Sequence, residues 1–170
     1  MKYTGTVILL LIIIRFSFAQ SGIEPTDSFK ITGKVKSEKT ITLDDLRNYK
    51  SITLQNINTS CSPKQKEEAK EVKAVLLKDI LDSVAFQYET PRMLNEFYFK
   101  FVASDGYTIV YSFNEIYNTE TGNNMYIVTE KDGKNIRDME NRILLLTTSD
   151  IKTGKRNIKG LANIIVRQAE

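Results

Sequence analysis

The stretch FYFKFVASDGYTIVYSF at residues 97–113 carries the clearest structural signal in the chain. Its first half alternates Phe97, Phe99 and Phe101 with other residues, and a second alternating run follows Asp105-Gly106. Alternation with a period of two is typical of a strand that buries one face. Two such runs around Asp-Gly predict a β-hairpin closed by a type I′ turn.

Weaker patterns of the same kind lie on both sides of this hairpin. FKITGKV at 29–35 predicts a strand in which Gly33 is a bulge or a point of close approach. Thr42, with an acid three residues later, is typical of a capping box that opens a short helix. Other strands are expected at 51–57, Met125–Thr129, Ile143–Thr147 and Ile158–Val166, with turns at Asp132-Gly133 and Thr153-Gly154.

Helical periodicity is limited to one segment. Leu76, Leu77, Ile80, Leu81 and Val84 recur at helical spacing, which predicts an amphipathic helix over residues 76–84. The polar stretch 58–73, which contains KQKEEAKEVK, is interpreted as a solvated helix or a mobile loop, because charge runs of mixed sign usually form a solvated face. Strands with short helices and tight hairpins together predict one mainly antiparallel α+β domain.

An export signal is expected over residues 1–19. Lys2 precedes an apolar run at 7–14, and Ser17-Phe18-Ala19 supplies small residues for cleavage before Gln20. Arg15 ends the run well short of the roughly 18 apolar residues of a membrane-spanning helix, and an uncleaved anchor is the alternative. We therefore expect a Sec-type signal at 1–19, a polar leader at 20–27 and one domain at 28–170, periplasmic or secreted and without a membrane span after cleavage.

Composition excludes several classes of function. Cleavage would remove Lys2 and Arg15 and no acid, which leaves 22 basic against 21 acidic residues and a formal charge of +1. This near-neutral balance argues against a nucleic-acid surface. The chain has no His, which removes the usual metal ligand and general base. Its one Cys, Cys61, cannot form an internal disulfide.

The order of these signals resembles the molybdopterin-binding oxidoreductase domain of the sulfite oxidase family. The resemblance covers most of residues 29–166 and implies a sulfite-oxidase-type mixed α+β fold. It also implies molybdenum held by two pterin sulfurs and one Cys thiolate, with basic side chains on the pterin phosphate. The segments that carry it are FKITGKV at 29–35, ITLDDL at 41–46, AVLLKDIL at 74–81, ASDGYTIVYSFNEI at 103–116 and NRILLLTTSDIKTGKRNIKGLANIIV at 141–166.

Three residues are the candidates that this resemblance supplies. Cys61 is the candidate metal ligand, although the family's Cys directly follows a strand and here Asn56 stands after Thr53-Leu54-Gln55. Arg142 and Lys159, each at the start of an apolar strand, are candidates for binding the cofactor's phosphate through charge-assisted bonds. The alternatives are a loop cysteine without a role and two ordinary surface charges.

Two further groups of residues have a structural and a functional interpretation. Asp105 could face a pocket as an acid, but an Asp before Gly in a hairpin more often satisfies the turn, and we favour that interpretation. Four tyrosines could form a binding patch, but strand spacing favours half-buried packing. They are Tyr98, Tyr107, Tyr111 and Tyr126.

Three hypotheses of function follow. The first is an active molybdenum–pterin oxidoreductase that uses Cys61, and the second is a non-catalytic domain of the same fold that binds a small anionic ligand or a protein. The third is that the resemblance reflects only the common pattern of antiparallel α+β domains. The second is favoured, with no catalytic residue and no cofactor, because the family inserts molybdopterin in the cytoplasm and a Sec-type signal exports unfolded chains.

Overall fold

The computed structural model describes residues 23–61, 67–151 and 154–169. The expected export signal and the first part of the polar leader lie outside the described residues. The strands in chain order are β1 (Ser28–Gly33), β2 (Lys39–Thr42), β3 (Ser51–Asn58), β4 (Glu68–Leu76), β5 (Phe97–Ala103), β6 (Thr108–Ser112), β7 (Met125–Lys131), β8 (Lys134–Asn135), β9 (Leu144–Thr147), β10 (Ile158–Lys159) and β11 (Leu161–Gln168). Two short helices, α1 (Leu77–Leu81) and α2 (Phe113–Tyr117), follow β4 and β6.

The strands form two sheets. The first has the order β2-β1-β11-β5-β6, in which only the β1–β11 pair of the described strands is parallel. The second has the order β10-β9-β7-β4-β3, with β8 paired to β7, and its described pairs are antiparallel. The prediction of a mainly antiparallel α+β domain is confirmed.

The main hydrophobic core lies between the two sheets. Phe99 and Phe101 of β5 and Ile164 of β11 pack there with Ile127 and Leu145 of the second sheet, all with no exposed surface. Along β7 and β9 the neighbouring residues belong to a second apolar cluster, and successive strand residues point to opposite faces. The second sheet is therefore apolar on both faces.

The predicted hairpin at 97–113 is confirmed, but its predicted type I′ turn is wrong. A type I′ turn needs a positive φ at both central residues, and of Asp105 and Gly106 only Gly106 has one, at 85°. The hairpin has a longer connection, in which the Gly106 amide donates to the Ala103 carbonyl oxygen at 3.0 Å. The turn at Asp132-Gly133, between β7 and β8, has a positive φ at both residues, 48° and 77°.

Three other expectations need correction. The charged stretch that ends at Lys73 forms the first part of β4 from Glu68 onward, because Ala69 and Val72 are buried on a sheet face. The helix expected over 76–84 is only the five residues of α1, although Val84 beyond it is buried. The strand expected at 158–166 divides at Gly160 into β10 and β11, which belong to different sheets.

Two predicted local features are confirmed. The Thr42 amide donates to Asp45 Oδ2 at 2.8 Å and the Asp45 amide donates to Thr42 Oγ1 at 3.2 Å. This is the reciprocal pairing of a capping box, formed across the start of the 3-10 helix Asp45–Asn48, whose own N-cap residue is Asp44. A Cβ at Gly33 would lie 2.1 Å from the Val166 carbonyl oxygen, so this glycine is a point of close approach between β1 and β11. Within the described ranges no helix is long and apolar enough to cross a membrane.

Candidate functional site

A cleft of about 430 Å³ beside the second sheet collects four basic side chains. Lys131 ends β7, Lys134 lies on β8, Lys159 lies on β10 and Arg142 precedes β9. Leu144 of β9 also lines the cleft. Because β9 lies between β7 and β10 in the sheet, Lys131 and Lys159 reach the cleft from strands on either side of Leu144.

A carboxylate of the chain itself binds two of these cations. Glu67 precedes β4, and its Oε2 accepts a hydrogen bond from Lys159 Nζ at 3.3 Å. Lys131 Nζ donates to Oε1 of the same carboxylate. Partial burial acts to raise the pKa of Glu67, but the two ammonium groups outweigh it and hold this pKa below its ordinary value. The carboxylate therefore stays charged between the two lysines at neutral pH.

The backbone of Glu67 is held in place by Thr59, which has no exposed surface. The Thr59 amide donates to the Glu67 carbonyl oxygen at 2.7 Å, and Thr59 Oγ1 donates to the same oxygen at 3.0 Å. The Glu67 side chain is nonetheless 44% exposed, more than Lys131 at 22% or Lys159 at 26%. The anion of this triad is thus more accessible to solvent than its two cations.

Arg142 is placed in the cleft by an unusual backbone conformation. Its φ is 52°, a left-handed conformation that non-glycine residues adopt at a cost of about 1–2 kcal/mol. The Arg142 amide donates to the Met139 carbonyl oxygen at 3.2 Å, and the residue forms a β-bridge with Thr26. Its guanidinium donates through Nη1 to Asp27 Oδ1. Arg142 is therefore fixed from both its backbone and its side chain.

Cys61 is half-buried and packs against the apolar cluster on the second sheet's outer face. Burial raises the pKa of its thiol, Glu67 and Asp105 act in the same direction, and Lys159 opposes them through its charge and a backbone hydrogen bond. The thiol is protonated at neutral pH, whereas the reactive and metal-binding form of cysteine is the thiolate.

The structure brings the three predicted site residues into one region. Arg142 and Lys159 line the same cleft, and Cys61 contacts Lys159 without being among the described residues that line it. The sequence interpretation missed Glu67, Lys131 and Lys134. Lys131 and Lys134 flank the Asp132-Gly133 turn, so this hairpin signal could have placed them together. Glu67 lies in the charged stretch that was interpreted as solvated.

The expected turn role of Asp105 is confirmed, because its Oδ1 accepts a hydrogen bond from the Tyr107 amide at 2.9 Å. The tyrosines do not form one binding patch. Tyr111 is fully buried, Tyr126 is nearly so, and Tyr107 is exposed with its hydroxyl donating to the Lys155 carbonyl oxygen at 2.6 Å. Packing is the role of most of these rings, as strand spacing predicts.

A pterin-bound molybdenum would need the thiolate of Cys61 and basic side chains for the pterin phosphate. Cys61 would have to give up its proton to the metal, and burial together with two carboxylates opposes this. A phosphate would have to displace the carboxylates that Arg142 and Lys159 bind, those of Asp27 and Glu67. Each of the three groups is thus engaged by, or electrostatically opposed by, carboxylates of the same chain.

Comparison with known proteins supports a distant relationship of fold. No family model matches the chain, and no curated protein matches it. Among solved structures, the sulfane dehydrogenase SoxCD from Paracoccus pantotrophus is similar, with a TM-score of 0.56 and 13% identity. The alignment covers 85% of this chain and 39% of that chain, so this protein spans well under half the length of its structural relative. The likeness is one of fold alone.

Proposed function

We propose that this chain is a non-catalytic binding module on a sulfite-oxidase-type, molybdopterin-binding-like fold, which works without a bound cofactor and takes a small anionic ligand in its basic cleft. The observation that carries this proposal is the carboxylate of Glu67 held between Lys131 and Lys159. Two ammonium groups that converge on one carboxylate form a ready anion-binding arrangement.

The charge of the cleft supports an anionic ligand. The cleft is lined by four basic side chains, those of Lys131, Lys134, Arg142 and Lys159, and by three acidic ones. One of the acids, Glu67, forms ion pairs with two of the lysines. A cleft of about 430 Å³ falls within the range of roughly 300–1,000 Å³ that small-molecule sites occupy. The half-buried Met139 adds an apolar contact for the body of an organic ligand.

The state of Cys61 supports a role without catalysis. Its raised pKa leaves little thiolate for a nucleophile or a metal ligand. The chain has no His to lower that pKa or to act as a general base. We also propose that the chain is exported with residues 1–19 removed, and export in an unfolded state would leave a cofactor behind.

The alternative is an active molybdenum–pterin oxidoreductase with Cys61 on the metal. One observation favours it: Cys61 lies against Lys159, so the thiol adjoins the basic cleft on a distantly oxidoreductase-like fold. A basic cleft next to a thiol is what that reaction would require, although the charges here are arranged against a thiolate.

Metal and pterin content decides between the two. The full chain is expressed in a host that makes molybdopterin and purified without chelators, and molybdenum and pterin are measured per polypeptide. We expect far less than one of each per chain, with a cooperative thermal transition. Near-stoichiometric molybdenum that is lost in Cys61→Ser, while the variant still folds, would overturn the proposal.

A further inference from the structure

The Glu67 carboxylate meets two ammonium groups with a single negative charge. One negative charge lies between the ammonium groups of Lys131 and Lys159, and Lys134 lines the same cleft. Two cations that converge on one point repel each other unless an anion lies between them. A group with two negative charges would neutralise this pair more completely than one carboxylate does.

The exposed fractions of the three side chains favour replacement of the Glu67 carboxylate by another anion. The lysine side chains are 22% and 26% exposed, whereas that of Glu67 is 44% exposed. Buried charges are costly to leave unpaired, so the less exposed lysines need an anion more than Glu67 needs its cations. Because Thr59 holds the Glu67 backbone, the carboxylate can leave by side-chain rotation alone.

We propose that Glu67 is a built-in competitor of the external ligand, and that this ligand carries a tetrahedral dianion, a phosphate or sulfate group, which displaces the Glu67 carboxylate from Lys131 and Lys159. This inference rests on the proposed function and adds to it the chemical class of the ligand and a means of control. The Glu67 carboxylate occupies the site until a doubly charged group displaces it. Singly charged metabolites are rejected because they carry no more charge than the carboxylate they would have to displace.

The test compares five forms of the protein: the wild type, Glu67→Gln, Glu68→Gln, Glu140→Gln, and the double variant that adds Lys159→Gln to Glu67→Gln. Glu68 begins β4 next to Glu67 and does not line the cleft in the described chain, so its variant controls for the overall change of charge. Glu140 lines the cleft and forms no ion pair among residues 23–61, 67–151 and 154–169, so its variant controls for local charge. Inorganic phosphate, sulfate and acetate are titrated at constant ionic strength, with amide chemical shifts as the readout.

We expect Glu67→Gln to bind sulfate and phosphate roughly tenfold more tightly than the wild type, the effect of removing two partly exposed ion pairs. The two control variants should change within about threefold, and adding Lys159→Gln to Glu67→Gln should abolish the gain. Acetate should bind more weakly than sulfate in every form. Equal affinities in the wild type and Glu67→Gln, an equal gain in Glu140→Gln, or equal binding of acetate and sulfate would overturn the inference.

A second measurement follows sulfate affinity through pH in the wild type and in Glu67→Gln. Sulfate keeps both charges in the range below pH 4.5 where Glu67, with its lowered pKa, takes up a proton. Its affinity for the wild type should therefore rise there, and rise less for Glu67→Gln. Parallel pH profiles would overturn the inference. The proposed function fails on a different result, stoichiometric molybdenum and pterin, so the two failures are distinguishable.

Discussion

The Tyr111 hydroxyl on β6 lies 2.5 Å from the Thr147 hydroxyl on β9, and this buried hydrogen bond joins the two sheets across the core. Arg156 covers the same tyrosine, with its guanidinium carbon 4.3 Å from the ring centroid. Burial raises the pKa of Tyr111 well above its ordinary value, so the hydroxyl stays protonated.

Removing this hydroxyl should weaken the joint between the sheets. Tyr111→Phe keeps the ring but leaves Thr147 without this partner, and we expect a loss of about 1 kcal/mol in the free energy of unfolding. Urea denaturation measures it, with Tyr98→Phe as the control on the neighbouring strand of the same sheet. Equal losses in the two variants would contradict a special role for the Tyr111–Thr147 bond.

Arg156 should be hard to replace by lysine. Its guanidinium makes two hydrogen bonds to Asp150, at 2.9 and 2.5 Å, and one to Glu115 at 3.0 Å. A lysine cannot reproduce this fork, so Arg156→Lys should cost about 1–2 kcal/mol of stability. Arg137→Lys, at the exposed pair with Asp44, should change the denaturation midpoint little. A large effect of the control or none of Arg156→Lys would contradict this.

Two glycines separate steric contact from backbone strain. Gly33 and Gly106 have similar φ values, 94° and 85°. A Cβ added at Gly33 would lie 2.1 Å from the Val166 carbonyl oxygen, whereas a Cβ added at Gly106 would have no atom within 4 Å. Gly106→Ala should cost about 1–2 kcal/mol for its φ alone. Gly33→Ala should cost clearly more or prevent folding, as judged by thermal unfolding. Equal shifts in melting temperature would show that β1 and β11 can move apart freely.

Glu67 should make stability depend on pH in the acid range. Because its pKa in the folded protein is below the ordinary 4.5, the ionised carboxylate stabilises the fold above that pH, and this contribution is lost as pH falls through the folded pKa. The difference in unfolding free energy between the wild type and Glu67→Gln should be under about 1 kcal/mol at neutral pH, since the side chain is 44% exposed, and should shrink in acid. A difference that grows in acid would contradict this sign.

The proposed export predicts a defined mature N-terminus. Full-length chain expressed in a bacterium should appear in the periplasm or medium with Gln20 as its first residue, because Ser17-Phe18-Ala19 fits signal peptidase. Intact-mass measurement and N-terminal sequencing of each fraction give the answer. Ala19→Arg should block processing. Uncleaved chain that stays with the membrane fraction would instead indicate the anchor.

Local patterns predicted strands best where alternation of apolar residues in two neighbouring segments was combined with a turn sequence between them. The alternation at 97–113 was sufficient for a hairpin because each strand buries every second residue whatever its neighbours are. Turn type was harder: both Asp-Gly pairs look alike in sequence, yet Asp132-Gly133 has the two positive φ values and Asp105-Gly106 has one. The length of the connection between paired strands decides this, and pairing register depends on the whole sheet.

The sequence by itself determined the α+β class and the two alternating runs, because these depend on residue type and short-range periodicity. Only the tertiary structure decided that Gly160 divides one apolar run between two sheets, since the change of sheet requires partners far along the chain. It also decided the site. The three members of the triad, Glu67, Lys131 and Lys159, are up to 92 residues apart in the sequence. No local pattern in the charged stretch around Glu67 indicates that this acid will lie between two lysines, which come from strands on either side of β9.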